Sequence, residues 1–209
     1  MADAGLERRV GRGLERAGLE TVPALAPAKL AELALLLCSW GHRVNLSGHK
    51  EPEAVVDRLI LDAAALTGAL PPAGSIADLG SGAGFPGLPI AVLRPECEVR
   101  LVEARERRHH FQRAAIRALG LANVRAVRAR IEDRVETPAE LALAQAVGPA
   151  DAVLPAIAHW SVPRGTLAIP AALGATPPAV PARGFGELRT LRYTVPGGPD
   201  RLLWLVERR

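Results

Sequence analysis

The stretch that decides the fold is IADLGSGAGFPGLPIAVLRPE, residues 76–96, which gathers four glycines and three prolines just after a short apolar run. Glycine at this density lets the backbone take positive φ and approach another group without a Cβ in the way. The turn can be read in two registers. From Gly82 it is a GxGxxG through Gly84 and Gly87, the dinucleotide fingerprint that seats a pyrophosphate on a helix N-terminus. From Asp78 it is DxGxGxG, through Gly80, Gly82 and Gly84. That is the form expected of S-adenosylmethionine (AdoMet) methyltransferases. AdoMet has no phosphate. Its cationic amino acid end and sulfonium favour a carboxylate at the strand's end, which Asp78 supplies, while the glycines leave room for ribose and methionine.

Outward from the turn, the chain alternates strands and helices. SIADLG is a strand, residues 86–93 a helix, CEVRLVEA a second strand, RERRHHFQRAAIRALG a helix ending on Gly120, and VRAVRARI a third strand. ELALAQAV and GTLAIPA read as strands four and five around the helix GPADAVLPAIAHW, and LRTLRYTV and RLLWLVER as a closing pair. This alternation predicts parallel βαβ units, with ligand outside the carboxyl ends of the strands. Glu103 ends the second strand, nineteen residues after Gly84, where an acid can accept the ribose hydroxyls of either cofactor. Ile131 and Glu132 end the third, where an adenine ring would lie. Upstream of Ser75, about seventy residues carry helical periodicity, whereas dinucleotide folds often begin with the first strand. The AdoMet register is favoured. The expected fold is α/β: a Rossmann-like class I AdoMet-dependent methyltransferase, with a doubly wound, mostly parallel sheet (residues 73–209) behind an N-terminal helical extension (residues 1–72).

Composition narrows the function classes. The 209 residues carry a net charge of +4, and Lys29 and Lys50 are the only lysines. Guanidinium groups suit phosphates and base edges, so the basic excess supports a nucleic-acid partner. No apolar run reaches the roughly 20 residues of a membrane span, and the charged N-terminus does not resemble a secretory signal. Cys38 and Cys97 make neither a disulfide framework nor a zinc pair. A soluble, cytoplasmic protein without a bound metal is expected. Nothing in the sequence specifies an oligomer, and a monomer is the default. In RERRHHFQRAAIR, residues 105–117, the periodicity puts Phe111, Ala115 and Ala118 on one face and most of the arginines elsewhere. Those arginines read as a solvated helix face or as a surface for phosphates.

The FPGLP tail is more specific than the glycines alone. DLGSGAGFPGLPIAVLRPE resembles the first motif of the RsmG (GidB) family. WGHRVNLS (40–47), DRLILDA (57–63), LGLANVRAVRARIED (119–133) and DRLLWLVER (200–208) are similar to further segments of that family. The resemblance implies an AdoMet-dependent enzyme that methylates N7 of a guanine in the 530 loop of 16S rRNA, with naked rRNA or the 30S subunit as partner. It implies cofactor contacts at Gly80, Phe85, Ile131 and Glu132. Arg201 falls on the arginine of the family's closing strand, and Arg130 on the one before the adenine contact. Three positions depart from the pattern. Leu59 replaces a histidine, Gln145 replaces the arginine of an Arg-Ala pair near AdoMet, and Pro170 stands about where a lysine is expected.

Guanine N7 carries an in-plane lone pair and no proton, so its methylation needs no general base. A cation could hold the neighbouring O6, and Arg201 is the candidate. No Asn-Pro-Pro-aromatic quartet follows strand four, which argues against methylation of exocyclic amines. Two alternatives stay open: a diverged AdoMet-binding homologue with another substrate or no transfer activity, and a dinucleotide-binding oxidoreductase.

Overall fold

The computed structural model describes residues 3–41, 46–133 and 136–209. Among the described residues, four α-helices precede the first strand. α1 (Ala4–Leu14) opens on Asp3, whose carboxylate accepts from the backbone N–H groups of Gly5 and Leu6, and it buries Leu6, Val10 and Leu14. α2 (Ala26–Gly41) is apolar over most of its circumference and runs through the core. The centre of the WGHRVNLS segment, residues 42–45, lies outside the described residues. α3 (Pro52–Val55) begins on proline, passes through a π-helical turn (Val56–Ile60) and continues as α4 (Leu61–Ala69). Arg9 on α1 donates through Nε to Asp57 Oδ1 at 2.9 Å, tying the first helix to that π turn. The Arg94 guanidinium takes the carbonyls of Thr67, Leu70 and Pro71, which closes the last turn of α4.

The sheet follows as the alternation predicts: β1 (Ser75–Leu79), α5 (Gly87–Leu93), β2 (Glu98–Val102), α6 (Glu106–Ala118), β3 (Val124–Val127), β4 (Ala139–Ala144), α7 (Ala150–Ile157), β5 (Ser161–Ala172), β6 (Arg189–Thr194) and β7 (Asp200–Glu207). Its order is β3-β2-β1-β4-β5-β7-β6. The first five strands are parallel, and β7 runs antiparallel between β5 and β6. The plain dinucleotide order ends β4-β5-β6; here an extra antiparallel strand is inserted. β1 is buried on both faces, as a central parallel strand must be.

Two apolar layers cover the sheet. One joins α1, α2, α4, α5 and α6 to it, so the helical extension and the sheet share a continuous core. The other packs α7, Trp160 and Trp204 against the opposite face. One detail of α6 differs from its periodicity: Ala118 is exposed, while Gln112 is fully buried beside Phe111 and Ala115. The reason lies in the site. No helix among the described residues is long and apolar enough to cross a membrane.

Candidate active site

β1, β2, β4 and β5 end on the same edge of the sheet, and the antiparallel β7 begins there, with Arg201 opposite Ala172 of β5. The glycine-rich turn leaves that edge directly after β1. Gly80 has φ +66°, and a Cβ there would overlap the side chain of Val147, which comes from the turn after β4. At Gly87 a Cβ would strike Leu101 and lie 2.7 Å from the Asp78 carboxylate. Glycine is thus required twice, once by conformation and once by crowding.

Three polar side chains hold the turn. Asp78, 1% exposed, accepts with Oδ2 from the Ser81 hydroxyl at 2.7 Å and from the Gly87 N–H at 2.9 Å. Glu103, 5% exposed, accepts from the N–H groups of Gly82 at 3.0 Å and Arg105 at 2.7 Å. Arg108 stands 3.8 Å from the same carboxylate. Gln112 donates from Nε2 to the Gly82 carbonyl at 2.9 Å, which explains its burial on α6. Gly82 is therefore gripped at its N–H and at its carbonyl by two different elements.

These contacts bear on both registers. In a dinucleotide site the pyrophosphate needs the N–H groups at the start of the helix after β1. Here a carboxylate already occupies the Gly87 N–H and would repel a phosphate. The residues fit AdoMet better. Asp78 Oδ1 is buried and has no partner among the described residues. Burial pushes the Asp78 carboxyl up to about 6, an effect opposed by the Ser81 and Gly87 hydrogen bonds and reinforced by Glu103. A cationic amino group nearby would favour the charged form. Each carboxylate oxygen of Glu103 keeps a further lone pair beyond its backbone contact, which a ribose hydroxyl can use. Asp78 thus differs from the sequence expectation in one respect: half its carboxylate is committed to shaping the turn.

Phe85 is half-buried against the core, preceding a cis peptide bond to Pro86. The third strand ends at Val127, where its partner β2 ends at Val102, and not at the expected Ile131; Ile131, half-buried, and Glu132, exposed, therefore lie in the segment that follows it. The Ile131 carbonyl accepts from Trp160 Nε1 at 2.8 Å, and His159 Nε2 lies 2.9 Å from the Asp133 carbonyl. Trp160 thus anchors this segment.

Farther along the edge, Arg201 donates from Nη2 to Asp62 Oδ2 at 2.9 Å, and Gln145 Nε2 lies 3.4 Å from the same oxygen. Asp62 is 7% exposed. Burial raises its carboxyl pKa, against the opposing charge of Arg201 and the hydrogen bonds from Gln145 and Arg201. Tyr193, paired with Arg201 across β6 and β7, is raised by burial and by the Asp62 charge. Asp62, Ser81 and Gln112 were not identified from sequence as site residues. Only Asp62 left a signal, a lone acid inside LILDAAAL. Leu59 packs against the core. Pro170, with Ala146, Val147, Ile169 and Trp204, lines a cavity of 260 Å³ at the β4–β5 end of the edge. Among the described residues no cluster of His, Cys, Asp and Glu is suited to a metal ion.

A parallel sheet carrying an inserted antiparallel β7, opened by an acid-clamped glycine turn, is the Rossmann-like class I AdoMet-dependent methyltransferase fold. A solved structure of that shape is TrmN from Thermus thermophilus, with a TM-score of 0.53, 21% identity, and 74% of this chain and 53% of that one covered. The family profile described as "GidB: rRNA small subunit methyltransferase G" matches residues 27–170. The chain belongs to that family. Two curated relatives carry the name Ribosomal RNA small subunit methyltransferase G. One, from Chromohalobacter salexigens, is 40% identical over 126 residues, covering 60% of each chain. The other, from Rubrobacter xylanophilus, is 42% identical over 141 residues, covering 64% of this chain and 52% of that one. The matches thus span between about half and three-fifths of these relatives.

Proposed function

We propose that this chain is an AdoMet-dependent methyltransferase that methylates N7 of a guanine in small-subunit rRNA, as naked 16S rRNA or in the 30S subunit. The carrying observation is the Asp78 clamp: it blocks the anion site of the turn and presents a buried carboxylate that a cationic cofactor would satisfy. AdoMet supplies an electrophilic methyl group on a sulfonium. Asp78 would face its amino group, Glu103 its ribose, and Ile131 with Glu132 its adenine, while Gly80 and Phe85 shape the floor. Arg201 would donate to guanine O6 and hold N7 in line with the methyl carbon. Because N7 already carries a free lone pair, the residues of the site would have no proton to remove and would act only by orienting the base. Orientation alone is worth up to about 7–11 kcal/mol in favourable cases, so a site without a general base is adequate. Such a substrate implies a soluble protein of the cytoplasm.

The test is the modification itself. Deleting the gene should abolish m7G in 16S rRNA and complementation should restore it; an unchanged m7G level would refute the proposal. A second reading, a diverged AdoMet-binding protein that does not methylate rRNA, is favoured by Gln145 and Pro170, where two cations of the family pattern are replaced. Calorimetry showing AdoMet binding, with no transfer to 30S subunits or naked rRNA, would select it.

A further inference from the structure

We propose that Asp62 is a positioning residue: from the helical extension it fixes the direction of the Arg201 guanidinium, making that extension part of the active site. The inference rests on the reading of Arg201 as the group that holds guanine O6.

Asp62 stands in the first turn of α4, directly after the π-helical turn Val56–Ile60. Such turns are frequent at functional sites. The acid is 7% exposed, and its neighbours on α4, Leu61, Ala63, Ala64 and Ala65, are all buried apolar residues. An apolar side chain would suit that surface at least as well, because a buried ion pair seldom repays its desolvation. Stability therefore does not account for an acid there; geometry does. Asp62 Oδ2 takes a single Arg201 nitrogen, Nη2, at 2.9 Å. Guanidinium is a planar fork of five N–H donors, so a bond to one prong restricts the plane and leaves the other donors available. The Arg201 side chain remains 31% exposed while Asp62 is sealed beneath it. One end is thus anchored in the core and the other reaches the edge where the strands end. Gln145 approaches the same oxygen at 3.4 Å without a charge, so Arg201 is the cation that Asp62 directs.

The test compares Asp62→Asn, Arg201→Met, Arg201→Lys and the double variant Asp62→Asn/Arg201→Met, using the full chain. Melting and AdoMet titration by calorimetry come first, then methyl transfer to 30S subunits or naked 16S rRNA. Asp62→Asn should keep AdoMet affinity within about twofold while kcat falls about 10- to 100-fold, as expected for a misdirected group. The double variant should be no slower than Arg201→Met, and Arg201→Lys should lose as much as Arg201→Met, because a fork and not a charge is being aimed. Additive losses, a fully active Arg201→Lys, or an Asp62→Asn loss matched by equal loss of AdoMet affinity would overturn the inference. If Asp62→Asn does not fold, Asp62→Glu takes its place, keeping the charge but moving it by one methylene: kcat should fall with AdoMet affinity unchanged, and full activity would overturn the inference. Wild-type protein that transfers no methyl group defeats the proposed function itself; an active wild type with an unaffected Asp62→Asn defeats only the role of Asp62.

Discussion

Asp78 is a carboxylate whose burial disfavours its own charge. With its pKa pushed up to about 6 from an ordinary 3.8, keeping it ionised at neutral pH costs on the order of 3 kcal/mol. The folded chain holds this proton more tightly than the unfolded chain. The residue's contribution to stability is therefore complete below about pH 3.8 and lost as pH rises through about 6. Asp78→Asn keeps an acceptor for the Gly87 N–H and removes the titration. Its urea midpoint, relative to wild type, should rise between pH 4.5 and pH 7.5. The same substitution should weaken AdoMet binding at pH 7.5 by tenfold or more, since a charge-assisted contact is lost. Calorimetry at both pH values checks this: wild-type affinity should increase through pH 6 and the variant's should not. A variant both less stable and pH-independent would assign Asp78 to turn-building alone.

At the scale of elements, the β1–α5 turn depends on how closely α5 meets β1 and β2. Gly87→Ala would push its methyl group into Leu101 and the Asp78 carboxylate. Overpacking of this kind typically costs about 1–3 kcal/mol, and here it also opens the clamp. Thermal melting should show the loss, and AdoMet titration should show a larger one, because the Gly87 N–H and Asp78 move together. This turn could be read from sequence because Asp78 and its four glycines lie within ten residues and glycine spacing is a local signal. Asp62 and Arg201 are 139 residues apart, and nothing in either neighbourhood names the other. Gln112 was hidden for a different reason: helical periodicity marks apolar faces, and a buried polar residue whose partner is a loop carbonyl breaks that pattern without announcing why. The strand and helix succession, resting on composition and breakers, was legible almost throughout.

Across the whole molecule, positive charge collects beside the β3 edge of the sheet. Arg105, Arg107, Arg113 and Arg117 around α6 are exposed, as are Arg125, Arg128 and Arg130 in and after β3. Among these only Arg128 has a carboxylate within ion-pair distance among the described residues, Glu106 at 3.4 Å. If this face carries rRNA, binding should weaken steeply with salt, and each phosphate contact removed should flatten the log–log slope by about 0.7–0.9. Filter binding with Arg107→Gln and Arg113→Gln, singly and together, should show that stepwise flattening with AdoMet affinity unchanged; an unchanged slope assigns these arginines to a solvated face.

The bond from the Trp160 indole to the Ile131 carbonyl gives the molecule a built-in optical reporter. Trp160 is 3% exposed and sits behind the segment that would meet adenine, whereas Trp204, on β7, lies in the apolar layer with α7 and Trp40 packs edge-on against Phe111, 5.6 Å between ring centres. A nucleoside settling on Ile131 would perturb the electron density around one indole and leave the other two in their surroundings. Intrinsic emission should therefore shift on titration with AdoMet, and Trp160→Phe should silence the signal. The fluorescence of the unlabelled chain can then time cofactor arrival before any methyl group has moved.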